Sequence, residues 1–376
     1  MKRSILALLL ALALSGAFAA GPDALVPKTA RDLGLGGSFL SVSSGFDSLY
    51  GNPAGFAAEK GEFTILDLST WLYVKPSYDN FEKAKAVASG EDTAAIAAAN
   101  ELLVDNGLGG GFSFGLGYVG KKLGLGFYAV SDEFASGDTA LGSKLRSSSS
   151  INLVVGLGLP LMLGPFRLNI GGDARPFYRV DSAGEGWSLI DLIQGADLDD
   201  QAAVAGFGMA MDFGASLELG PSLKVGLALR DLSPSFLMDD FLVGEVLDAL
   251  GSGSLPEQGA GADNVYLTPY ASLGLAWSPE LVPGFVEPSL YFELRDPAGA
   301  LRDEASFWNL LHLGAELRLL NFASLRLGLN GGWPSAGLGL DLAIIELDAA
   351  VFTEELGLHP GDRPRTGVAL QAALRF

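Results

Sequence analysis

Residues 30–57 read ARDLGLGGSFLSVSSGFDSLYGNPAGFA. The stretch holds too much glycine and serine for a good helix, and its apolar residues are spaced too irregularly for one clean strand. Gly34, Gly36, Gly37, Gly45, Gly51 and Gly55 permit close backbone approach and positive φ. Asn52-Pro53-Ala54 adds a turn signal, because proline fixes its own φ and pushes Asn52 out of the α region. The segment reads as a compact, turn-dense plug or lid between an N-terminal tail and a region that begins at Gly61.

From Gly61 onward the chain breaks into segments of about ten residues, apolar on alternate positions and separated by turn signals. The first is Phe63 to Trp71 and the last is Thr366 to Phe376. Tight turns stand at Gly120-Lys121-Lys122, Gly164-Pro165, Gly220-Pro221-Ser222 and Leu320-Asn321. The count is about fourteen strands, an even number within the range of outer-membrane barrels. Leu223, Val225, Leu227 and Leu229 oppose Lys224, Gly226, Ala228 and Arg230, and the last strand alternates in the same way. A soluble sandwich also alternates, so the pattern alone does not say which face meets lipid. The polar faces decide it. They mix glycine with both charge signs, in Asp212, Glu218, Lys224, Arg230, Glu316, Arg318, Arg326, Asp341, Glu346, Asp348 and Arg375, as a crowded barrel interior would. Long insertions mostly follow the odd-numbered strands and tight turns the even ones, which matches external loops and periplasmic turns; the short link near Gly332-Trp333-Pro334 is the exception.

Composition agrees. Of 376 residues, 49% are hydrophobic and 18% charged, yet the apolar runs are broken by glycine and proline short of a spanning helix. Apolarity dispersed in short strands is what a membrane barrel requires. Lys2 and Arg3, the apolar run from Ile5 to Leu14 and Ala17-Phe18-Ala19 form an expected secretory signal over residues 1–20. There is no cysteine, so neither a disulfide scaffold nor a lipoprotein is expected. A net charge of −20 argues against nucleic acid and against a polybasic grip on anionic lipid.

The order Ala-Arg, Leu-Gly-Leu-Gly-Gly-Ser-Phe, a short polar span with an aspartate, then Tyr-Gly-Asn-Pro-Ala-Gly resembles the N-terminal region of FadL-like fatty-acid-transporter barrels. The related PorV-like barrels of secretion systems share it. The resemblance implies an N-terminal plug over residues 21–60, a barrel over 61–376, and a place in the outer membrane of a bacterium with a two-membrane envelope. It further implies capture of a hydrophobic small molecule, such as a long-chain fatty acid, by helices in the external loops. Entry into an apolar upper barrel and release through a moving plug or a lateral opening would follow. Gly36, Gly37, Asn52, Pro53 and Ala54 are the gate residues on this reading, and Gly109, Gly110 and Gly111 mark a strand kink where the wall opens. The PorV-like alternative is a barrel that binds or shuttles a secreted protein.

The residues themselves offer no catalytic constellation, metal spacing or P-loop, and no enzyme activity, metal or cofactor is expected. Gly124-Leu125-Gly126 lies inside a strand and opens no helix, so it is not a dinucleotide fingerprint. Its glycines relieve crowding or kink the strand. His312 is expected in the lumen, paired with Glu316 or Arg318. Residues 80–106 and 188–204 carry helical patterns. Within 233–250, Phe236, Leu237, Phe241, Leu242, Val246 and Leu250 form an expected apolar helix face that invites a hydrophobic ligand or packs on its neighbours. The alternating strand that ends in Phe376 looks like the signal read by barrel-assembly machinery, and outer-membrane lipid is the remaining expected partner.

Overall fold

The computed structural model describes residues 25–90, 92–259, 262–279 and 281–376, so the expected signal sequence lies outside the described residues. Fourteen strands pair antiparallel, each with the next, and the last closes on the first. In chain order they are β1 (Glu62–Tyr73), β2 (Leu108–Gly120), β3 (Leu123–Ser136), β4 (Lys144–Leu163), β5 (Phe166–Ser182), β7 (Ala202–Leu219) and β8 (Leu223–Leu232). They continue with β11 (Tyr270–Trp277), β12 (Val286–Arg295), β13 (Leu311–Leu319), β14 (Ala323–Asn330), β15 (Trp333–Leu342), β16 (Ile345–Glu355) and β17 (Pro364–Arg375). Three short strands, β6 (Trp187–Ser188), β9 (Phe236–Leu242) and β10 (Asp263–Val265), belong to the long connections. Closure removes the open edge that an isolated sheet would leave unpaired. Phe63 and Phe376 complete it, each N–H donating to the other's carbonyl at 3.0 and 2.9 Å.

The faces are inverted relative to a water-soluble protein. Leu157 and Leu327 are each 66% exposed on the outside, whereas Arg175, Asp212, Arg230 and Glu293 are at most 1% exposed inside. An apolar exterior around a polar, charge-paired interior is the arrangement that a bilayer selects. The expected lumen residues face inward, joined by Asp67, Asp173, Arg175 and Glu293, which the alternation also places there.

One end of the barrel carries short turns and the other the long connections, apart from the tight Gly331-Gly332 turn between β14 and β15. At the long end lie helices α2 (Tyr78–Ser89) and α3 (Asp92–Asp105), which pack on each other, then α4 (Leu189–Ile193) and α5 (Val243–Gly251). The helices α6 (Pro297–Arg302) and α7 (Phe307–Leu310) follow. The expected single helix across 233–250 is instead a strand and a helix. β7 runs past the end of β8, and residues 202–207 of that overhang pair with β9. Unmet backbone groups on a long strand outweigh the helical spacing of Phe236, Leu237, Phe241 and Leu242.

The N-terminal segment threads the lumen. Lys28 lies at the long-loop end, where its Nζ donates to the Tyr73 hydroxyl at 2.7 Å and to Glu354 at 3.0 Å. Ala58 lies at the other end, accepting from the Lys121 N–H at 2.7 Å. Between them come helix α1 (Ala30–Gly34) and three 3₁₀ turns, Leu40–Val42, Gly45–Leu49 and Pro53–Ala57. Thr29 and Asn52 cap the first and last of these, accepting from the Asp32 and Ala54 N–H groups.

Candidate functional site: a threaded lumen and a groove on the outer wall

The inner segment is held by its backbone as much as by its side chains. Arg230 Nη1 donates to the Gly51 carbonyl at 3.1 Å, Arg295 Nη2 to the Gly37 carbonyl at 2.6 Å, and Lys224 Nζ to the Val42 carbonyl at 2.9 Å. Asn52 Nδ2 donates to the Ser41 carbonyl at 2.7 Å and lies 3.3 Å from the Ala215 and Leu227 carbonyls. Glu293, fully buried, accepts from both the N–H and the hydroxyl of Ser41 at 2.8 and 2.7 Å. Ion pairs add Arg31 to Glu316 at 3.2 Å and Asp47 to Arg375 at 3.6 Å. In a low-dielectric interior such charge-assisted bonds are strong only while every member keeps its partner.

Wall glycines make room for this path. A Cβ at Gly214 would run into Asn52 Oδ1, one at Gly226 into the Ser41 carbonyl, and one at Gly171 into the Pro53 carbonyl. Gly124 and Gly156 face the Phe56 ring from neighbouring strands. The glycine-rich strands are therefore shaped to the segment they enclose. Gly36, Gly37, Asn52, Pro53 and Ala54 all sit in this contact; Gly36 and Gly37 have φ of 70° and 73°, a region that disfavours side chains.

Gly109, Gly110 and Gly111 do not open the wall. They keep their pairing with Tyr73, Leu72 and Trp71 on one side and with Phe134, Glu133 and Asp132 on the other. Gly111 leaves space for the Trp71 ring, so close packing accounts for it. The register shift of the β1–β2 pair falls elsewhere, between Thr64 and Asp67. His312 also departs from expectation. Its Nδ1 meets the Gly36 carbonyl at 2.9 Å, while Glu316 pairs with Arg31 and Arg326 and Arg318 pairs with Asp341.

Charged groups line two cavities of the upper lumen, beside an apolar cluster of Phe177, Phe236, Met238 and Leu267. One cavity of about 580 Å³ is lined by Asp132, Lys144, Arg146, Glu185, Arg363 and Arg365 among others. A second, of about 420 Å³, meets Lys28, Asp32, Arg295, His312, Glu354 and Arg365. Sequence alternation gives the sign of a face but not the composition of one level of the barrel, which draws single residues from many strands.

The apolar cavity lies on the outside of the wall. It measures about 590 Å³, within the usual range of small-molecule sites. Phe112, Ile151, Tyr178 and Val180 form its wall side, and Val246, Leu247 and Leu250 of α5 cover it. Register fixes the side: Tyr178 lies opposite Phe207, 52% exposed, and Phe112 is itself 50% exposed. Phe112 and Ile151 join the groove to the lipid-facing surface. Of the six residues expected on one loop face, Phe241, Val246 and Leu250 meet here, packed with Tyr178 and Ala205. Phe236 turns inward against Phe177, with ring centroids 5.1 Å apart, and Leu237 and Leu242 stand exposed. Residues such as Phe112 and Tyr178 escaped the sequence reading because the groove is assembled from four wall strands and two connections.

No family model matches the chain, and no curated protein matches its sequence. Among solved structures it is similar to a FadL homologue of Pseudomonas aeruginosa, at 12% identity over 95% of this chain and 99% of that one, with a TM-score of 0.47. It is also similar to the toluene transporter TodX of Pseudomonas putida, at 12% identity, 95% and 99% coverage and a TM-score of 0.45. The toluene transporter TbuX of Ralstonia pickettii gives 12% identity, 93% and 98% coverage and a TM-score of 0.46.

Proposed function

We propose that this chain is an outer-membrane barrel that takes up hydrophobic small molecules, gathering them in the groove beneath α5. The groove itself carries the reading: an apolar cavity at the loop end of the wall, covered by an amphipathic helix and continuous with the lipid-facing surface. Burial of an alkyl chain there removes apolar surface from water at about 25 cal/mol per Å². The lumen is threaded by the N-terminal segment, so passage to the other side requires that segment to shift around Asn52-Pro53-Ala54. Fatty acids are one candidate cargo and aromatic hydrocarbons another.

Native mass spectrometry of the barrel in lipid nanodiscs, incubated with an alkyl chain alcohol, tests the capture step. Bound alcohol that is lost in a Val246→Asp, Leu250→Asp double variant is the expected result. Retention of the ligand by a folded double variant would remove the groove from the function.

A further inference from the structure

The groove has a charge pattern that capture of a plain hydrocarbon does not require. Glu133, Asp181 and Asp199 line it, and its described lining residues include no lysine, arginine or histidine. Asp181 already accepts from Arg179 Nε at 2.7 Å. Glu133 pairs with no cation among the described residues. Its Oε1 accepts from the Ser131 hydroxyl at 2.5 Å, and the Ser147 hydroxyl lies at 3.5 Å. Ser131 and Ser149 share a further hydrogen bond of 2.7 Å. All of these donors reach one oxygen, and Oε2 has no donor among the described residues.

Pairing places Glu133 and the serines on the outer face, with Glu133 opposite Ser147 and Ser131 opposite Ser149, whereas Asp181 lies opposite the lumen residue Ser148 and turns its carboxylate to Arg179. They form a polar island above wall positions that carry leucine, phenylalanine and valine. A carboxylate at an ordinary rim would stand clear in water. Glu133 instead shares its cavity with Val246, Leu247 and Leu250. Beside apolar walls the effective dielectric is lower than in water, so a charge there attracts its opposite and repels its like more strongly. The serines orient one carboxylate oxygen and leave the other to a ligand.

We propose that the groove selects hydrophobic molecules whose head is a positively charged hydrogen-bond donor, an alkyl ammonium, over alkyl carboxylates. This assignment rests on the capture reading above and names the head group that the same cavity prefers. Asp199, at the opposite edge, adds to the same field.

Competition between dodecylammonium and dodecanoate for the full barrel in zwitterionic nanodiscs, read by native mass spectrometry, tests it. A preference for the ammonium of about tenfold, equivalent to about 1.4 kcal/mol, is expected. Glu133→Gln should bring the ratio close to one. Glu304→Gln, on the rim between β12 and β13, should leave it unchanged, which separates the groove from the general attraction of a chain of charge −20. Equal binding of the two chains, or a preference that survives Glu133→Gln, would overturn the head-group assignment. Dodecanol is the control. If it binds while no preference is seen, only the head-group assignment falls; if it too fails to bind, the capture reading falls with it.

Discussion

Arg230 of β8 donates to the carbonyl of Gly51 at 3.1 Å, so a wall arginine holds the backbone of the inner segment one residue before Asn52. The same guanidinium lies 3.2 Å from Asp212, which also receives Arg175 Nε at 3.2 Å. Arg230→Met would leave the Gly51 carbonyl unmet and weaken the compensation of a fully buried carboxylate. Loss of one partner from a buried pair typically costs about 3–5 kcal/mol. A fall of that order is expected in the denaturant stability of the barrel, with the segment becoming accessible to protease.

Asn52 tests the turn itself. Its Oδ1 caps the Ala54 N–H at 2.9 Å and its Nδ2 faces three carbonyls. Asn52→Ala removes a cap worth about 0.5–2 kcal/mol. Asn52→Asp keeps the cap but directs a carboxylate at carbonyl oxygens, so it should destabilise more than alanine despite its equal size. Uptake of a hydrophobic probe should fall in both while the barrel still folds. Uptake equal to the parent in a folded Asn52→Ala, Pro53→Ala double variant would remove the gate assignment.

Gly214 offers a purely steric route to the same question. A Cβ there collides with Asn52 Oδ1, whereas Ala215 on the next position points away from the lumen. Gly214→Val should displace the segment and raise single-channel conductance in planar bilayers. Ala215→Val should not. Equal conductance in the two variants would mean that the wall yields before the segment does.

The lipid belt makes its own prediction. Leu153, Leu157 and Leu161 face outward along β4, with Leu157 in the middle and 66% exposed. Leu157→Arg should cost about 2–4 kcal/mol of folding free energy in bilayers, as expected for arginine near the midplane. The same change at Leu141, 79% exposed in the connection between β3 and β4, should cost little. Similar losses at both sites would contradict the membrane orientation.

Strand positions and number were legible because their signals are local. A period of two needs only the residues of one strand, and Gly164-Pro165 or Leu320-Asn321 sets a turn without help from elsewhere. The charged positions that alternate with leucine in β8, β13 and β14 were readable as one face for the same reason. The stretch 236–242 was not. Its apolar spacing serves helix and strand alike, and the unpaired overhang of β7, remote in sequence until the barrel closes, decided between them.

What each face meets and where the cavities lie belong to the tertiary structure. Gly171, Gly214 and Gly226 become the seat of a threaded segment only when the ring of strands brings Pro53, Asn52 and Ser41 against them. His312 lies four residues before Glu316 in the chain, yet its partner is the Gly36 carbonyl, 276 positions away. The groove joins Phe112, Ile151 and Tyr178 to Leu250 through wall curvature and the fold of two connections, neither of which leaves a periodic trace. The sequence by itself determined a closed barrel with a glycine-rich segment before it, because alternation and turns are short-range. The assembled structure alone sets charged groups around the cavities of the upper lumen and an apolar groove outside, because each depends on which residues of different strands arrive at one height.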